Sequence, residues 1–314
     1  MQVIQRAGLI GQPLAHSWSP AMQNAAFVAA GISAQYTLWE TEPAHLAVRI
    51  ASLRAPDVLG ANVTIPYKAA VVPLLDAITT GARETGGAVN TIAREETASG
   101  IRLIGHNTDV PALQRVLREQ QAWSSGSGEK RLLVLGAGGA ARAAISVALR
   151  EGADPWIAAR NPTVGQSVLA TVQQHRMPDS AQRHNNVIDL LDTEALGVAL
   201  AKTQVLVNAT PIGTRDPTAA PIPLALLGQL PQGAVVCDMV YNPPETALVR
   251  AARAYGLRAC GGMLMLLYQG AEAFSLWTGR PAPLAAMRAA LERQAQAAAT
   301  GDDIRKRRDS DTTD

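Results

Sequence analysis

Residues 132–144 read LLVLGAGGAARAA: an apolar run, a glycine-rich turn and an alanine-rich helix start. Gly136, Gly138 and Ala141 stand at the G-x-G-x-x-G/A positions. The first glycine permits the tight turn, the second lets backbone approach a pyrophosphate, and the third position takes a small residue where helix packs on strand. The helix N-terminus that follows points free N–H groups and a partial positive charge at the same place. Glycine spacing alone is weak evidence. With a strand before it and a helix after it, the stretch reads as a dinucleotide site rather than a plain βα turn.

The pattern extends in both directions. Downstream, PWIAAR (155–160), VLVNATP (205–211) and AVVCDMVY (234–241) read as strands, and helical periodicity closes the chain at 263–277 and 283–297. Immediately upstream, WSSGSGEK (123–130) has the Ser/Gly composition of a linker. Before it come strand patterns AGLIG, QYTLWE, LGANVTI, AVNTIAR and RLIGHNTD, with helices expected at 20–30, 43–54, 67–76 and 110–120. Alternating strands and helices predict an α/β protein with mostly parallel sheets. A chain of 314 residues is long enough for two domains.

Composition narrows the function classes. Hydrophobic residues make up 47%, which argues against disorder, and the net charge of +2 comes from interspersed charges. Neither nucleic acid nor membrane is expected as a partner. No apolar run has the length of a membrane span, and MQVIQRAGLIG lacks the pattern of a signal peptide. Cys237 and Cys260 read as buried, reduced thiols of a cytoplasmic protein, and five scattered histidines predict no metal. The basic run Arg305–Arg308 falls in a polar stretch expected to be solvated. Nothing in residues 176–186 assigns them a role.

Polar residues in apolar elements mark the chemistry. A strand ending in PWIAAR should reach the adenosine ribose, where Asp or Glu would hold a 2′-hydroxyl. Arg160 and Asn161 stand there instead, and an arginine suits a 2′-phosphate. NADP(H) is the expected cofactor, NAD the alternative, and a plain surface arginine the bland reading. Asn62 and Thr64, two apart, share a face at the end of a strand, where open α/β sheets bind ligands. Lys68 falls in the first turn of the helix expected at 67–76, where the dipole and burial would lower its pKa and suit it to acid–base work; a solvated lysine is an equal alternative. Ser17 and Ser19 flank Trp18, with Ser19 a natural N-cap and the pair a plausible carboxylate site. Asp109 either caps the helix 110–120 or partners Lys68. Asn90 is a further polar group in an apolar strand.

Eight separated motifs, HSWSP, NVTIPYK, GAVNTI, NTD, GAGGAARA, NATPIG, DMVYNP and GGMLMLLYQGAEAF, occur in this order. Together they resemble the shikimate dehydrogenase family, from about Gly8 to near Ala298. The resemblance implies an N-terminal catalytic domain over 1–108, completed by a helix at about 283–298, and a Rossmann domain over 109–282; beyond it, the polar stretch 299–314 reads as a flexible tail. It implies reversible reduction of 3-dehydroshikimate to shikimate with NADPH, by a monomer or homodimer, with substrate in the cleft between the domains. Carried over by position, Lys68 and Asp109 would be the catalytic pair. Ser17 and Ser19 would hold the carboxylate, with Thr64, Asn90, Tyr241 and Gln269 also touching substrate. Gly136, Ala137, Gly138, Gly139, Ala140, Arg160, Asn161, Met239 and Gly262 would line the NADP site.

The chain departs from the family in three places. The phosphate clamp usually reads Asn-Arg-Thr, and here it is Ala159-Arg160-Asn161. Glycine usually follows NTD, where Val110 and Pro111 stand, and Gln23 replaces a frequent histidine. The competing readings are a quinate or quinate/shikimate dehydrogenase using NAD(P), a catalytically silent metabolite sensor, and a folate-type dehydrogenase of similar build. Ser19 leans toward shikimate, since the family's quinate users often carry threonine there. The presence of Lys68 and Asp109 counts against the sensor, and the paired serines and DMVYNP fit the folate enzymes poorly.

Overall fold

The computed structural model describes residues 4–123, 129–176 and 186–310. Most of the linker at 123–130, most of 176–186, and residues 311–314 lie outside them. The first half contains β1 (Gln5–Gly11), α1 (Ser19–Ala29), β2 (Ala34–Glu40), α2 (Leu46–Ser52), β3 (Val58–Val63), β4 (Ala77–Ile78), α3 (Thr80–Arg83), β5 (Thr91–Thr97), β6 (Gly100–His106) and α4 (Asp109–Glu119). The second contains β7 (Arg131–Leu135), α5 (Gly139–Arg150), β8 (Asp154–Ala159), α6 (Pro162–Arg176), β9 (Val187–Asp189), α7 (Thr193–Leu200), β10 (Val205–Asn208), β11 (Val235–Asp238), α8 (Ala247–Ala254) and β12 (Arg258–Cys260). Helices α9 (Met263–Thr278) and α10 (Leu284–Ser310) end the described chain.

The second sheet runs β12-β11-β10-β7-β8-β9 with every pairing parallel, the doubly wound dinucleotide-binding order. Its central strands are buried on both faces, which is why RLLVL, VLVN and VVCD are apolar runs without alternation. The order reverses between β7 and β10, so the Gly136 turn lies at the switch point, where such sheets bind ligands. The first sheet runs β2-β1-β3-β5-β6-β4 and is mixed. Strands β5 and β6 pair antiparallel with each other, and β5 also pairs antiparallel with β3. The two residues Ala98 and Ser99 between β5 and β6 are far too short for a parallel crossover.

The helix expected at 67–76 does not form. The chain passes through turns and one 3-10 turn at Val72–Leu74. Pro66 and Pro73 bracket the segment, each removing a backbone donor, and Val71 and Val72 disfavour helix. Lys68 therefore sits on a turn, and the dipole argument for its chemistry fails. Helix α10, expected to end near 298, keeps helical backbone to Ser310 through a stretch with no proline and one glycine, Gly301.

Helix α9 joins the two halves. It starts directly after β12 and then packs across the first sheet. Trp277 Nε1 donates to Ile92 O at 3.0 Å, and a Cβ on Gly60 would lie 2.3 Å from that nitrogen, so only glycine admits the indole. Phe27 of α1 meets Phe274 with ring centroids 5.6 Å apart, a pair worth about 0.5–1.5 kcal/mol beyond its buried area. Helix α5 is fastened to the first half as well: Arg150 pairs with Glu84 at 2.6 Å, and Arg142 Nη1 donates to Gly86 O at 3.4 Å.

Candidate active site

Lys68 and Asp109, 41 residues apart, meet with Nζ–Oδ2 at 2.5 Å. Their side chains are 16% and 11% exposed, so the pair is only partly desolvated. Asp109 does not cap α4: Asn107 Oδ1 accepts from Val110 N at 3.2 Å, freeing the Asp109 carboxylate. Its second oxygen accepts from Asn90 Nδ2 at 2.8 Å. Asn90 also donates to Thr108 Oγ1 at 2.9 Å and accepts from Thr108 N at 2.7 Å. Both amide protons of Asn90 are thus engaged within the protein.

Asn62 does not face open space with Thr64. Its side chain is buried, accepting from Tyr36 Oη at 2.9 Å and donating to Thr91 Oγ1 at 3.0 Å. Thr64 is half-buried beside Gly11, where a Cβ would lie 2.4 Å from Thr64 Cγ2. Ser19 is not an N-cap, because α1 begins at Ser19 itself; Ser17 Oγ instead accepts from Ser19 N at 3.3 Å. Tyr241, from the second half, stacks obliquely on Trp18 with centroids 5.5 Å apart. Burial pushes its phenol up, partly offset by Ser17 and the Trp18 amide beside it. Tyr36 is driven well up by burial, with Ser19 beside its oxygen. Ser17, Ser19, Tyr36 and Tyr241 thus form one hydroxyl cluster, to which both halves contribute.

Gln269 is half-buried on α9, donating to Leu266 O at 2.9 Å. Gln23 gains a physical account: fully buried, it donates to Gly270 O at 2.9 Å and ties α1 to α9 next to Gln269.

The residues for a dinucleotide fit their task. Gly136 adopts φ +101°, and a Cβ there would lie 3.0 Å from Thr210 Cγ2. Gly138 is the N-cap of α5 and makes no side-chain cap bond, and a Cβ there would meet nothing within 4 Å, so backbone and free N–H groups face open space. Ala137 and Ala140 flank it, half-buried. Gly139 faces the first half: a Cβ would lie 2.8 Å from Lys68 Cδ. Gly262 approaches Met239 so closely that a Cβ would lie 2.4 Å from Met239 O. Beneath them, buried Asp238 accepts from Asn208 Nδ2 at 2.9 Å, Val240 N at 3.0 Å and Thr246 Oγ1 at 2.6 Å. Burial nevertheless raises its pKa, against the lowering effect of these bonds.

Arg160 is exposed at the end of β8. Asn161 caps α6, its Oδ1 accepting from Thr163 N at 3.1 Å and Val164 N at 3.3 Å. Two surface hollows, one bounded by Gln5, Asp57 and Arg280 and one by Trp156, Glu194 and Lys202, involve none of these site residues.

Sequence reasoning missed Tyr36, Thr91 and Thr108. Thr91 could have been suspected from its place beside Asn90. Tyr36 gave no signal, since an aromatic residue in a strand is ordinary.

Comparison with known proteins agrees along the chain. The family model for the shikimate dehydrogenase substrate binding domain matches residues 9–92, and that for the shikimate 5′-dehydrogenase C-terminal domain matches residues 262–292. A shikimate dehydrogenase (NADP(+)) of Symbiobacterium thermophilum is 42% identical over 292 residues, covering 91% of this chain and 95% of the relative. Shikimate 5-dehydrogenase of Thermus thermophilus, solved with NADP(H) and shikimate, superposes with TM-score 0.76 at 33% identity, covering 92% of this chain and 99% of that one. Quinate dehydrogenase of Corynebacterium glutamicum, solved with NAD, gives TM-score 0.77 at 28% identity, covering 92% and 99%.

Proposed function

The chain belongs to the shikimate dehydrogenase family, and from that membership we propose that it reduces 3-dehydroshikimate to shikimate, reversibly, with NADPH. The observation that carries the reading is the position of Lys68, bonded to Asp109 on one side and lying against Gly139 of the dinucleotide turn on the other. The bound nicotinamide supplies the hydride. Reduction of a ketone places negative charge on its oxygen. Lys68 Nζ donates a proton to that oxygen, and in the oxidative direction takes it back. Asp109 orients the ammonium, and Asn90 holds Asp109.

Ser17 and Ser19, with Tyr241 over them, are proposed to receive the substrate carboxylate. Thr64, Asn90 and Gln269 are proposed to meet the ring hydroxyls, Asn90 by exchanging its Thr108 bond. Gly136 to Ala140 with the α5 N-terminus would hold the diphosphate, Met239 and Gly262 would flank the nicotinamide end, and Arg160 would meet the 2′-phosphate. One observation favours a second reading of cofactor choice. Asn161 occupies the first-turn amides of α6, and Pro162 has none, so Arg160 supplies most of the discrimination and NAD is the alternative cofactor. We place the enzyme in the cytoplasm, in keeping with its two buried free thiols.

The test follows absorbance at 340 nm with shikimate or quinate against NADP+ or NAD+. Turnover with shikimate and NADP+ is expected to exceed the other three combinations. Faster turnover of quinate would move the assignment to quinate dehydrogenase, and no turnover with retained binding would favour a sensor.

A further inference from the structure

The cleft has two ends, the hydroxyl cluster around Ser19 and the Lys68–Asp109 pair, and a line of buried hydrogen bonds runs from Tyr36, in the first, to Asp109 of the second. Ser19 lies beside the Tyr36 phenol oxygen. Tyr36 Oη donates to Asn62 Oδ1 at 2.9 Å, and Asn62 Nδ2 donates to Thr91 Oγ1 at 3.0 Å. Thr91 Oγ1 donates to Asn90 Oδ1 at 3.2 Å, and Asn90 Nδ2 donates to Asp109 Oδ1 at 2.8 Å. From Tyr36 onward each donor points toward the carboxylate. Such a series polarises bond by bond in a low-dielectric interior. Tyr36, Asn62, Thr91 and Asn90 are 1%, 4%, 0% and 2% exposed, so any break strands a buried polar group.

Packing alone does not require the Tyr36 hydroxyl. The ring lies against Trp277, centroids 6.1 Å apart, within an apolar cluster where phenylalanine would fill nearly the same volume. The buried Tyr36 hydroxyl instead donates to Asn62 Oδ1.

We propose that Tyr36 is a positioning residue: through Asn62, Thr91 and Asn90 its hydroxyl couples the Ser19 end of the cleft to the Lys68–Asp109 pair. The proposal rests on the functional reading above. Tyr36 touches neither reacting group; it fixes the directions of Ser19 and Asn62, and through them the spacing between anion site and proton donor.

The experiment titrates shikimate by calorimetry into the wild type, Tyr36→Phe, Ser19→Ala and the double variant, with kcat, KM and melting temperature measured alongside. Tyr36→Phe is expected to weaken shikimate binding about tenfold, as for loss of one buried hydrogen bond, with the dissociation constant for NADP+ unchanged. The double variant should bind no more weakly than the weaker single, because Tyr36 and Ser19 act as a unit. Unchanged shikimate binding in Tyr36→Phe, or additive losses in the double variant, would overturn the proposal. If Tyr36→Phe does not fold, Thr91→Val and Thr91→Ser decide. Valine keeps the volume and should lose about tenfold in kcat/KM, whereas serine keeps the hydroxyl and should stay near the wild type. The reverse order, or equal values, refutes the coupling. Absence of shikimate binding by the wild type refutes the functional reading and this proposal with it, whereas normal wild-type binding with an unaltered Tyr36→Phe refutes only Tyr36.

Discussion

Replacing Gly139 by alanine should separate the stability of the fold from the placement of its proton donor. Gly139 opens α5 at a negative φ, so alanine is unstrained there and should stabilise the folded chain by about 0.5–1 kcal/mol through lower unfolded-state entropy. The added Cβ would lie 2.8 Å from Lys68 Cδ, 0.6 Å inside the 3.4 Å onset of ordinary contact. Helix α5 is held by the Arg150–Glu84 ion pair and by its packing on the second sheet, so the flexible lysine stem must move. A displacement of that size at Nζ should lower kcat roughly tenfold to a hundredfold, given that about 1 Å of misplacement costs about two orders of magnitude. Gly138→Ala is the control. Its Cβ would meet no protein atom and would point into the space assigned to the diphosphate, so it should raise the KM for NADP+ and leave Lys68 alone. Urea unfolding and steady-state kinetics on both variants read the two effects. If Gly139→Ala keeps the wild-type kcat, Lys68 does not lie against the dinucleotide turn in the working enzyme, and the assembly of the site argued above is wrong.

Other substitutions probe the same frame. Asp109→Asn keeps the shape but leaves the partly buried Lys68 without its counter-ion; kcat should fall at least a hundredfold and stability by about 1–3 kcal/mol, between the limits for exposed and buried pairs, read from kinetics and urea midpoints. Burial raises the Asp238 pKa, so the folded state binds the extra proton between the ordinary carboxylate value and the raised one. This group's contribution to stability is therefore full below that window and lost as pH rises through it. Asp238→Asn, which can still bond Asn208, Val240 and Thr246, should flatten the dependence in urea midpoints taken across mildly acidic pH. Gly60→Ala would put a Cβ 2.3 Å from Trp277 Nε1 and 2.4 Å from Ile92 O; it should cost about 1–3 kcal/mol or more and lower the melting temperature measured by circular dichroism.

Much of the second half was legible because its signals are local. A strand, three small residues and a helix start fall within thirteen positions, and the apolar runs of a doubly covered parallel sheet need no partner to be recognised. The first half carries information that adjacent residues do not encode. Lys68 stands out in the sequence as a polar residue just past a strand end, but the helix that periodicity predicts at 67–76 does not form, because Pro66 and Pro73 bracket it. The antiparallel β5–β6 pair followed from loop length, a cue weaker than the alternation around it. Asn161 looked like a cofactor contact and caps α6, because the choice between capping and binding depends on which way one short side chain turns. A shift of one residue in the helix start takes the N-cap position from Ser19 to Trp18 and leaves Ser17 Oγ to accept from Ser19 N. Tyr36 and Thr91 became visible only when β2, β3 and β5 were laid side by side, since their polar partners lie across strands 26 to 29 residues away in sequence.

Helix α9 also bears on how the chain comes off the ribosome. The face of the first sheet that carries Gly60 and Ala93 is complete by about residue 106, yet the indole that seals it belongs to residue 277. At about 5–20 residues per second, that face waits on the order of ten to thirty seconds for its cover. The nascent first half therefore emerges with an open apolar surface beside the unpaired edge of β2, the condition under which chaperones are recruited. The same dependence makes C-terminal truncation more damaging than distance from the catalytic lysine suggests: a chain stopped before α9 would lack the lid of its own first half.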